Sequence, residues 1–249
     1  MAVLTVEGLT KRYPAFTLEG VSFRLEEGRI MGFIGRNGAG KTTTLSCLLD
    51  LVHPDGGEVS FFGTSLGENA QAIKRQVGFV SGGWAFYPRK KLKTITAVTR
   101  SFYPDCWDEA AYREYCGLFK LEEDKTPKEL SAGMQVKYAL ALALSHRARL
   151  LVLDEPTSGL DPVSREELLE IFLELSRGRG TSILFSTHIT SDLEKCADDI
   201  TYIKEGRVPF TGTLEEFRER YTREYYPERT EPATLEDLMV CQELGRRPL

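Results

Sequence analysis

Nine residues, 35–43, combine three glycines with one lysine and two threonines directly after the apolar run Ile30–Ile34. They read Gly-Arg-Asn-Gly-Ala-Gly-Lys-Thr-Thr and fill every position of the pattern G-x-x-x-x-G-K-[ST]. Glycines let a backbone curl tightly enough for successive N–H groups to face a phosphate, and a helix that follows aims its positive dipole end at the same anion. The segment therefore predicts a phosphate-binding loop between a strand and a helix.

Two side chains of this loop have specific predicted roles. Lys41 would bridge the β- and γ-phosphates of a nucleotide, and the Thr42 hydroxyl would coordinate Mg²⁺, while Arg36 and Asn37 occupy positions that the pattern leaves open. The alternative is a glycine turn before an ordinary helix, but the complete pattern rarely arises by chance in this setting. The predicted nucleotide-binding residues of the loop are Gly35, Arg36, Asn37, Gly38, Ala39, Gly40, Lys41, Thr42 and Thr43.

A buried-strand pattern at residues 150–153 ends in two adjacent carboxylates, Asp154 and Glu155. An acid at a strand end can hold Mg²⁺, and a second acid beside it can orient and deprotonate an attacking water. We assign Asp154 to the metal and Glu155 to the general base. A helix cap or a solvated turn is the alternative for an isolated pair of this kind, and the complete phosphate loop disfavours it.

A third feature is the predicted helix start at residues 130–135, Leu-Ser-Ala-Gly-Met-Gln, with Ser131 as its N-cap. Small residues at a helix N-terminus leave backbone N–H groups accessible to an anion. This segment is therefore a second candidate phosphate receptor.

These residues need a scaffold of alternating strands and helices. Short apolar runs typical of buried strands occur at residues 30–34, 77–80, 150–153 and 183–185. A helix is expected over 166–176, with Asp161 and Pro162 as its start signals. The alternation predicts an α/β fold with a mostly parallel sheet.

The rest of the chain adds helices and one hairpin to this core. Apolar spacing becomes helical from about residue 94 to 147, which predicts a helical lobe inserted into the α/β core. Residues 200–203 and 208–211 flank Glu205-Gly206 and predict a hairpin, and a charged helix is expected over 214–221.

The motifs together resemble the ABC ATPase family. Residues 35–43 look like its Walker A motif, 150–155 like its Walker B motif and 130–135 like its signature. Residues 158–161, Ser-Gly-Leu-Asp, are similar to its D-loop, and residues 186–188, Ser-Thr-His, are similar to the strand end that carries its switch histidine. All five motifs stand in the family's order.

The resemblance covers about residues 2–212 and implies a P-loop NTPase core with a mostly parallel sheet, an antiparallel β-subdomain and an inserted helical lobe. It implies an ATPase domain over 1–212, with the lobe at about 94–147, and a small helical appendage over 213–249.

The resemblance also implies roles for individual residues, with ATP and Mg²⁺ as cofactors. Tyr13 would stack on adenine and Asp161 would belong to the D-loop. The signature residues would act in trans on the nucleotide of a second subunit; they are Ser131, Ala132 and Gly133. The implied catalytic residues are Lys41, Glu155 and His188, and the implied metal ligands are Thr42 and Asp154.

The sequence departs from the family pattern at two motifs. In the signature, Ala132 replaces a glycine and Met134 replaces a glutamine, and binding across a dimer should survive both changes. In the Q-loop, Gly82 stands where the family has a glutamine that contacts Mg²⁺ and the attacking water. Gly82 has no side chain for this role, so it is excluded from the predicted metal ligands.

Further features are the atypical Q-loop, the signature variant, residues 101–104 (Ser-Phe-Tyr-Pro) with Trp107, residues 186–194 and residues 234–239. They carry a finer resemblance to bacterial ATPases that serve ABC-2-like permeases, including those of small-molecule and peptide-antibiotic resistance. It implies a second ATPase subunit and integral membrane permease subunits as partners, and it favours export. The aromatic residues Trp84, Phe86 and Tyr87 would be a docking surface for the permease, with ordinary packing of the helical lobe as the alternative.

Composition bears on location and on rival functions. A formal net charge of −5 gives no electrostatic reason to expect a nucleic-acid partner, and no apolar stretch is long enough for a membrane span. We expect a cytoplasmic protein, peripheral on the inner face of the cell membrane, with reduced cysteines. The rivals are a soluble ABC-type ATPase that acts on ribosomes or DNA and a catalytically idle subunit. The single ATPase unit argues against the first, and intact Glu155 and His188 argue against the second.

Overall fold

The computed structural model of the protein describes residues 1–81 and 87–247. Strands β1 to β10 are Ala2–Tyr13, Phe16–Glu26, Ile30–Ile34, Gly56–Phe61, Thr64–Ser65, Val77–Ser81, Leu150–Asp154, Ser182–Thr187, Asp199–Lys204 and Arg207–Thr213. Helices α1 to α9 are Lys41–Leu48, Leu66–Gln76, Leu92–Ser101, Glu109–Leu118, Ala132–Ser145, Pro162–Leu173, Thr190–Cys196, Leu214–Tyr225 and Leu235–Leu244. A 3₁₀ turn at Pro127–Glu129 and a π-helical turn at Glu174–Gly178 complete the regular structure of these residues.

A six-stranded sheet with the order β10-β9-β3-β8-β7-β6 forms the centre of the protein. All of its strand pairs are parallel except the β9–β10 hairpin. Alternate residues of β7 face opposite sides: Leu151 and Leu153 pack with the helical lobe, whereas Leu150 and Val152 pack toward the second sheet. Burial on both faces explains the continuous apolar runs, and the predicted mostly parallel α/β fold is confirmed.

The second sheet is antiparallel and has the order β2-β1-β4-β5. It confirms the antiparallel subdomain implied by the resemblance, although no residue pattern located its strands. Register shifts interrupt the β1–β2 ladder, and Val3 and Leu4 are both buried although they are adjacent. Such bulges break the two-residue alternation by which a strand is recognised from sequence.

The helical lobe consists of α3, α4 and α5 between β6 and β7, and residues 92–149, all of which are described, contain no strand. The buried Thr96 hydroxyl lies 2.8 Å from the Tyr112 hydroxyl and 2.9 Å from that of Tyr138, which ties the three helices together. The predicted inserted lobe is confirmed.

Helix α6 begins at Pro162, as its predicted start signals indicate, because the Asp161 carboxylate accepts hydrogen bonds from the backbone N–H groups of Val163 and Ser164, at 3.1 Å each. The predicted hairpin is β9–β10, and its turn places Glu205 at φ +50° and Gly206 at φ +78°, as a two-residue I′ turn requires. Helix α8 starts at a capping box formed by Thr213 and Glu216.

Candidate functional site

The phosphate loop connects the buried strand β3 to helix α1, and its glycines are required by close packing. A Cβ atom at Gly35 would lie 2.3 Å from the Ile203 carbonyl oxygen, and one at Gly40 would lie 2.9 Å from the Phe16 ring. Gly38 and Gly40 also have φ values of +82° and +116°, in the region that favours glycine. No acidic residue lies in the first turn of α1, so its N-terminus suits an anion.

Lys41 lies inside the curve of this loop and is only 6% exposed. Its ammonium group donates to the carbonyl oxygens of Gly35 at 2.8 Å and Arg36 at 3.3 Å. It also lies 3.3 Å from Glu155 Oε1. The loop therefore fixes one positive charge within reach of the second acid of the 154–155 pair.

Asp154 is held by two hydroxyl groups from neighbouring elements. Thr42 Oγ1 donates to Asp154 Oδ2 at 3.1 Å, and Ser186 Oγ donates to Asp154 Oδ1 at 2.6 Å. Ser186 lies opposite Asp154 in the β7–β8 register and is fully buried. Its oxygen also accepts the backbone N–H of Glu155 at 2.9 Å.

Glu155 has φ +50°, an uncommon conformation for a residue that is not glycine. Its Oε2 atom lies 2.8 Å from His188 Nδ1, while its Oε1 atom faces Lys41. Non-glycine residues in such backbone conformations cluster at functional sites, because the surrounding structure must hold them there. The carboxylate is thus fixed between the Lys41 ammonium group and the His188 imidazole at the mouth of the phosphate loop.

A cavity of about 740 Å³ lies over the phosphate loop and is open to solvent. Eight predicted site residues line it: Asn37, Gly38, Gly40, Lys41, Thr42, Thr43, Glu155 and His188. Three residues not assigned to the site from sequence complete the lining: Ala15, Phe16 and Ser158. Tyr13 pairs with Phe16 at the ends of β1 and β2 but is not among the lining residues.

The signature residues do not line this cavity. Ser131 and Ala132 are exposed, and the Ser131 hydroxyl caps α5 by accepting the backbone N–H of Met134 at 3.2 Å. Gly133 packs against α6, where an added Cβ would lie 3.1 Å from Ser164 Cβ. Asp161 caps α6, and the hydrogen bonds from Ser164 hold the pKa of its carboxyl below the usual value. Gly82 lies outside the described residues, as do Trp84 and Phe86.

Sequence reasoning did not assign a role to Ser186 or Phe16. The sequence gives a weak signal for Ser186, because this polar residue directly follows the apolar run 183–185, as Asp154 follows the apolar run 150–153. Phe16 carries none, because its position beside Gly40 depends on how the second sheet packs against the loop.

A phosphate loop after the central parallel strand β3, two carboxylates at the end of β7 two strands away in the same sheet, and a helical insertion between them in sequence define a P-loop ATPase. A family model described as "ABC transporter" matches residues 18–158, and the chain belongs to the ABC transporter family. It is an ATPase that binds nucleotide.

The chain is similar to one curated relative and to two solved structures. It is 33% identical over 223 residues to the bacitracin transport ATP-binding protein BcrA of Enterococcus faecalis, covering 88% of this chain and 71% of the relative. A solved ATP-binding subunit of an ABC transporter has a TM-score of 0.82 at 29% identity, covering 98% of this chain and all of the other. A solved dimeric ATP-binding cassette with bound ADP and Pi has a TM-score of 0.73 at 23% identity and covers 85% of this chain and 98% of its own. At this identity the match shows a similar fold.

Glu155→Gln is expected to bind ATP and to lose roughly 10²- to 10⁴-fold in turnover, because the substitution removes the predicted general base. Steady-state ATPase assays and gel filtration with ATP should show slow hydrolysis and an accumulated ATP-bound dimer. Glu170→Gln, an exposed glutamate of α6, is the control. Turnover near that of the parent would remove Glu155 from this role.

Lys41→Ala is expected to weaken ATP binding by roughly tenfold or more, since a hydrogen bond to a charged group contributes about 1.5–3 kcal/mol. Titration with a fluorescent ATP analogue measures the Kd, and Lys128→Ala, at an exposed position, should leave it unchanged. Equal affinity in the Lys41 variant and the parent would contradict the assignment of the loop.

Ser186→Ala is expected to raise the Mg²⁺ concentration that gives half-maximal ATPase activity, because Asp154 loses the donor that orients it. Ser182→Ala is a matched control on the same strand: Ser182 is equally buried, but its hydroxyl accepts from the Gly28 backbone N–H at 2.9 Å, away from the site. Both variants should lose about 1 kcal/mol of stability. The same Mg²⁺ requirement in both variants would contradict a role for Ser186 in the site.

Proposed function

We propose that this chain is the ATP-binding and ATP-hydrolysing subunit of an ABC exporter, which dimerises around two ATP molecules and powers a separate membrane permease. The observation that carries the proposal is the single cavity that unites Lys41, Glu155 and His188 over a phosphate loop. The similarity to a bacitracin transport ATP-binding protein supports export as the direction.

Dimerisation is supported by what the cavity contains and by what lies elsewhere on the surface. In one chain the cavity is lined by the phosphate loop and the proposed base Glu155, whereas Ser131 and Ala132 are exposed outside it. A second copy could bring its own helix α5 N-terminus against the γ-phosphate, where backbone N–H groups stabilise an anion. ATP would then join the two subunits, and hydrolysis would release them.

The proposed hydrolysis uses the contacts of Glu155. Its carboxylate would accept a proton from a water that attacks the γ-phosphorus, while His188 holds the carboxylate in place. Lys41 would move from the loop carbonyls to the β- and γ-phosphate oxygens, since the phosphates are stronger acceptors for its ammonium group.

The oxygen atoms of Thr42 and Asp154 fit Mg²⁺. Thr42 Oγ1 and Asp154 Oδ2 lie 3.1 Å apart, and both are hard oxygen ligands of the type that Mg²⁺ prefers. Mg²⁺ commonly uses one or two protein oxygens and completes its shell with water and phosphate oxygens. When bound, it would neutralise charge on the β- and γ-phosphates.

A permease docking site is supported by an apolar groove between the α/β core and the helical lobe, with a volume of about 320 Å³. Phe79 of β6 and Leu51 line this groove, and they are 38% and 67% exposed. His146 stacks on Tyr103 at 4.0 Å between ring centroids, and burial lowers the pKa of its imidazole, so it is neutral at pH 7. Such a groove fits an apolar helix from a membrane protein.

No helix in the described parts of the chain is long and apolar enough to cross a membrane. We place the subunit in the cytoplasm, bound to the inner face of the membrane through the permease.

Residues 213–249 would be an appendage to an ATPase domain that spans residues 1–212. A soluble ABC ATPase that acts on ribosomes or DNA would share the ATP chemistry but would not need a membrane partner.

The Phe79→Asp variant is expected to lose the membrane partner while keeping the ATP affinity of the isolated chain, because Phe79 lies in the groove and not in the phosphate cavity. Affinity-tagged chain is purified from detergent-solubilised membranes of its own host, and co-purified integral membrane proteins are identified. Leu118→Asp is the matched control, since Leu118 is 51% exposed and is not among the groove residues. Recovery of ribosomal proteins or DNA in place of a membrane protein would refute the transporter proposal. Equal recovery of one permease by the Phe79→Asp and Leu118→Asp variants would refute only the proposed docking site.

A further inference from the structure

The last turn of helix α9 is attached to the end of strand β9 by two hydrogen bonds. Tyr202 Oη donates to Glu243 Oε1 at 2.9 Å, and Lys204 Nζ donates to the Gln242 carbonyl oxygen at 2.7 Å. Tyr202 is fully buried, and burial raises the pKa of its phenol, so it remains a donor throughout the physiological range. A neutral donor on a carboxylate makes a strong hydrogen bond in such surroundings.

The same end of β9 supports the phosphate loop. Tyr202 pairs with Ile34, the last residue before the loop. The next carbonyl, that of Ile203, occupies the space where Gly35 would carry a Cβ, at 2.3 Å. In the turn after β9, the Gly206 backbone N–H donates to the Ala39 carbonyl oxygen at 2.9 Å. The loop is therefore supported at both its beginning and its end by one strand and the turn that follows it.

Glu243 also faces the loop directly, because its Oε2 atom lies 4.0 Å from Arg36 Nη1. The Arg36 side chain is 75% exposed, and an exposed ion pair of this length contributes little. Most of the connection between α9 and the loop therefore passes through Tyr202 and the β9 backbone.

We infer that the C-terminal helix is part of the support of the nucleotide site, and that Glu243 and Tyr202 are positioning residues for ATP binding. Their hydrogen bond fixes the end of β9, and this strand end fixes the curvature of residues 35–40, whose N–H groups must converge on the phosphates. Neither side chain lines the phosphate cavity, so both act through the backbone.

The test uses Glu243→Ala, Glu243→Gln and Tyr202→Phe in the full chain. Titration with a fluorescent ATP analogue gives the Kd, steady-state assays give KM and kcat, and thermal unfolding gives the stability without nucleotide. Glu243→Ala and Tyr202→Phe should raise the Kd and KM for ATP by about three- to tenfold with little change in kcat, since the loop still forms once ATP is bound. Glu243→Gln, which keeps an acceptor for Tyr202, should restore most of the affinity.

A matched control comes from a contact between the same helix and α8. The Tyr225 hydroxyl accepts from Gln242 Nε2 at 3.2 Å, so Tyr225→Phe also removes one phenol contact with α9. Tyr225 belongs to α8 and does not touch β9 through this bond, and its variant should bind ATP as the parent does.

Two outcomes would overturn the inference. One is an unchanged ATP Kd in Glu243→Ala, measured well below its melting temperature, because α9 would then only stabilise the fold. The other is additivity in the double variant. Both changes remove the same hydrogen bond, so Glu243→Ala combined with Tyr202→Phe is expected to weaken ATP binding no more than either change alone. Effects that add in the double variant would show that the two side chains do not act through this bond. If Tyr202→Phe does not fold, the Glu243 variants and the Tyr225 control still decide between these results.

Discussion

The parallel pairing of β7 with β8 sets Asp154 opposite Ser186, and the chemistry of the site depends on this register. A slip of β7 by one residue would turn Asp154 to the other face of the sheet and separate it from Ser186 and Thr42. The register also carries the Glu155 backbone N–H to the Ser186 hydroxyl, which holds Glu155 in its left-handed conformation next to His188. Continuous apolar packing on both faces of the sheet makes that slip costly.

The site is surrounded by supports of very different kinds. On one side, backbone packs against backbone, with the Ile203 carbonyl oxygen filling the space beside Gly35. On the other, side chains bridge elements that are far apart in sequence, such as Glu155 and His188. The mouth of the cavity remains open to solvent, and the exposed start of α5 lies outside it. A rigid floor and an open mouth suit a site that is completed by another surface.

The sequence predicted the parts of the site that depend on local chemistry. The phosphate loop could be located because positive φ angles and close contacts require its glycines. The buried strands could be located because both faces of the central sheet are covered, which makes their sequences continuously apolar. Strands β1 and β2 could not, since bulges break their alternation. Ser186 and Phe16 were missed because each gains its position from strand pairing or packing between sheets. The Q-loop position Gly82 lies outside the described residues.

The Ser186 hydroxyl has a single hydrogen, and its surroundings decide where that hydrogen points. The Glu155 backbone N–H can only donate, so the serine oxygen must accept there and must direct its own hydrogen at Asp154 Oδ1. Oδ1 of this carboxylate is thereby committed to Ser186, whereas Oδ2 lies on the side of Thr42 and accepts from its hydroxyl. If Asp154 holds Mg²⁺ as proposed, the buried Ser186 hydroxyl therefore limits it to binding through one oxygen.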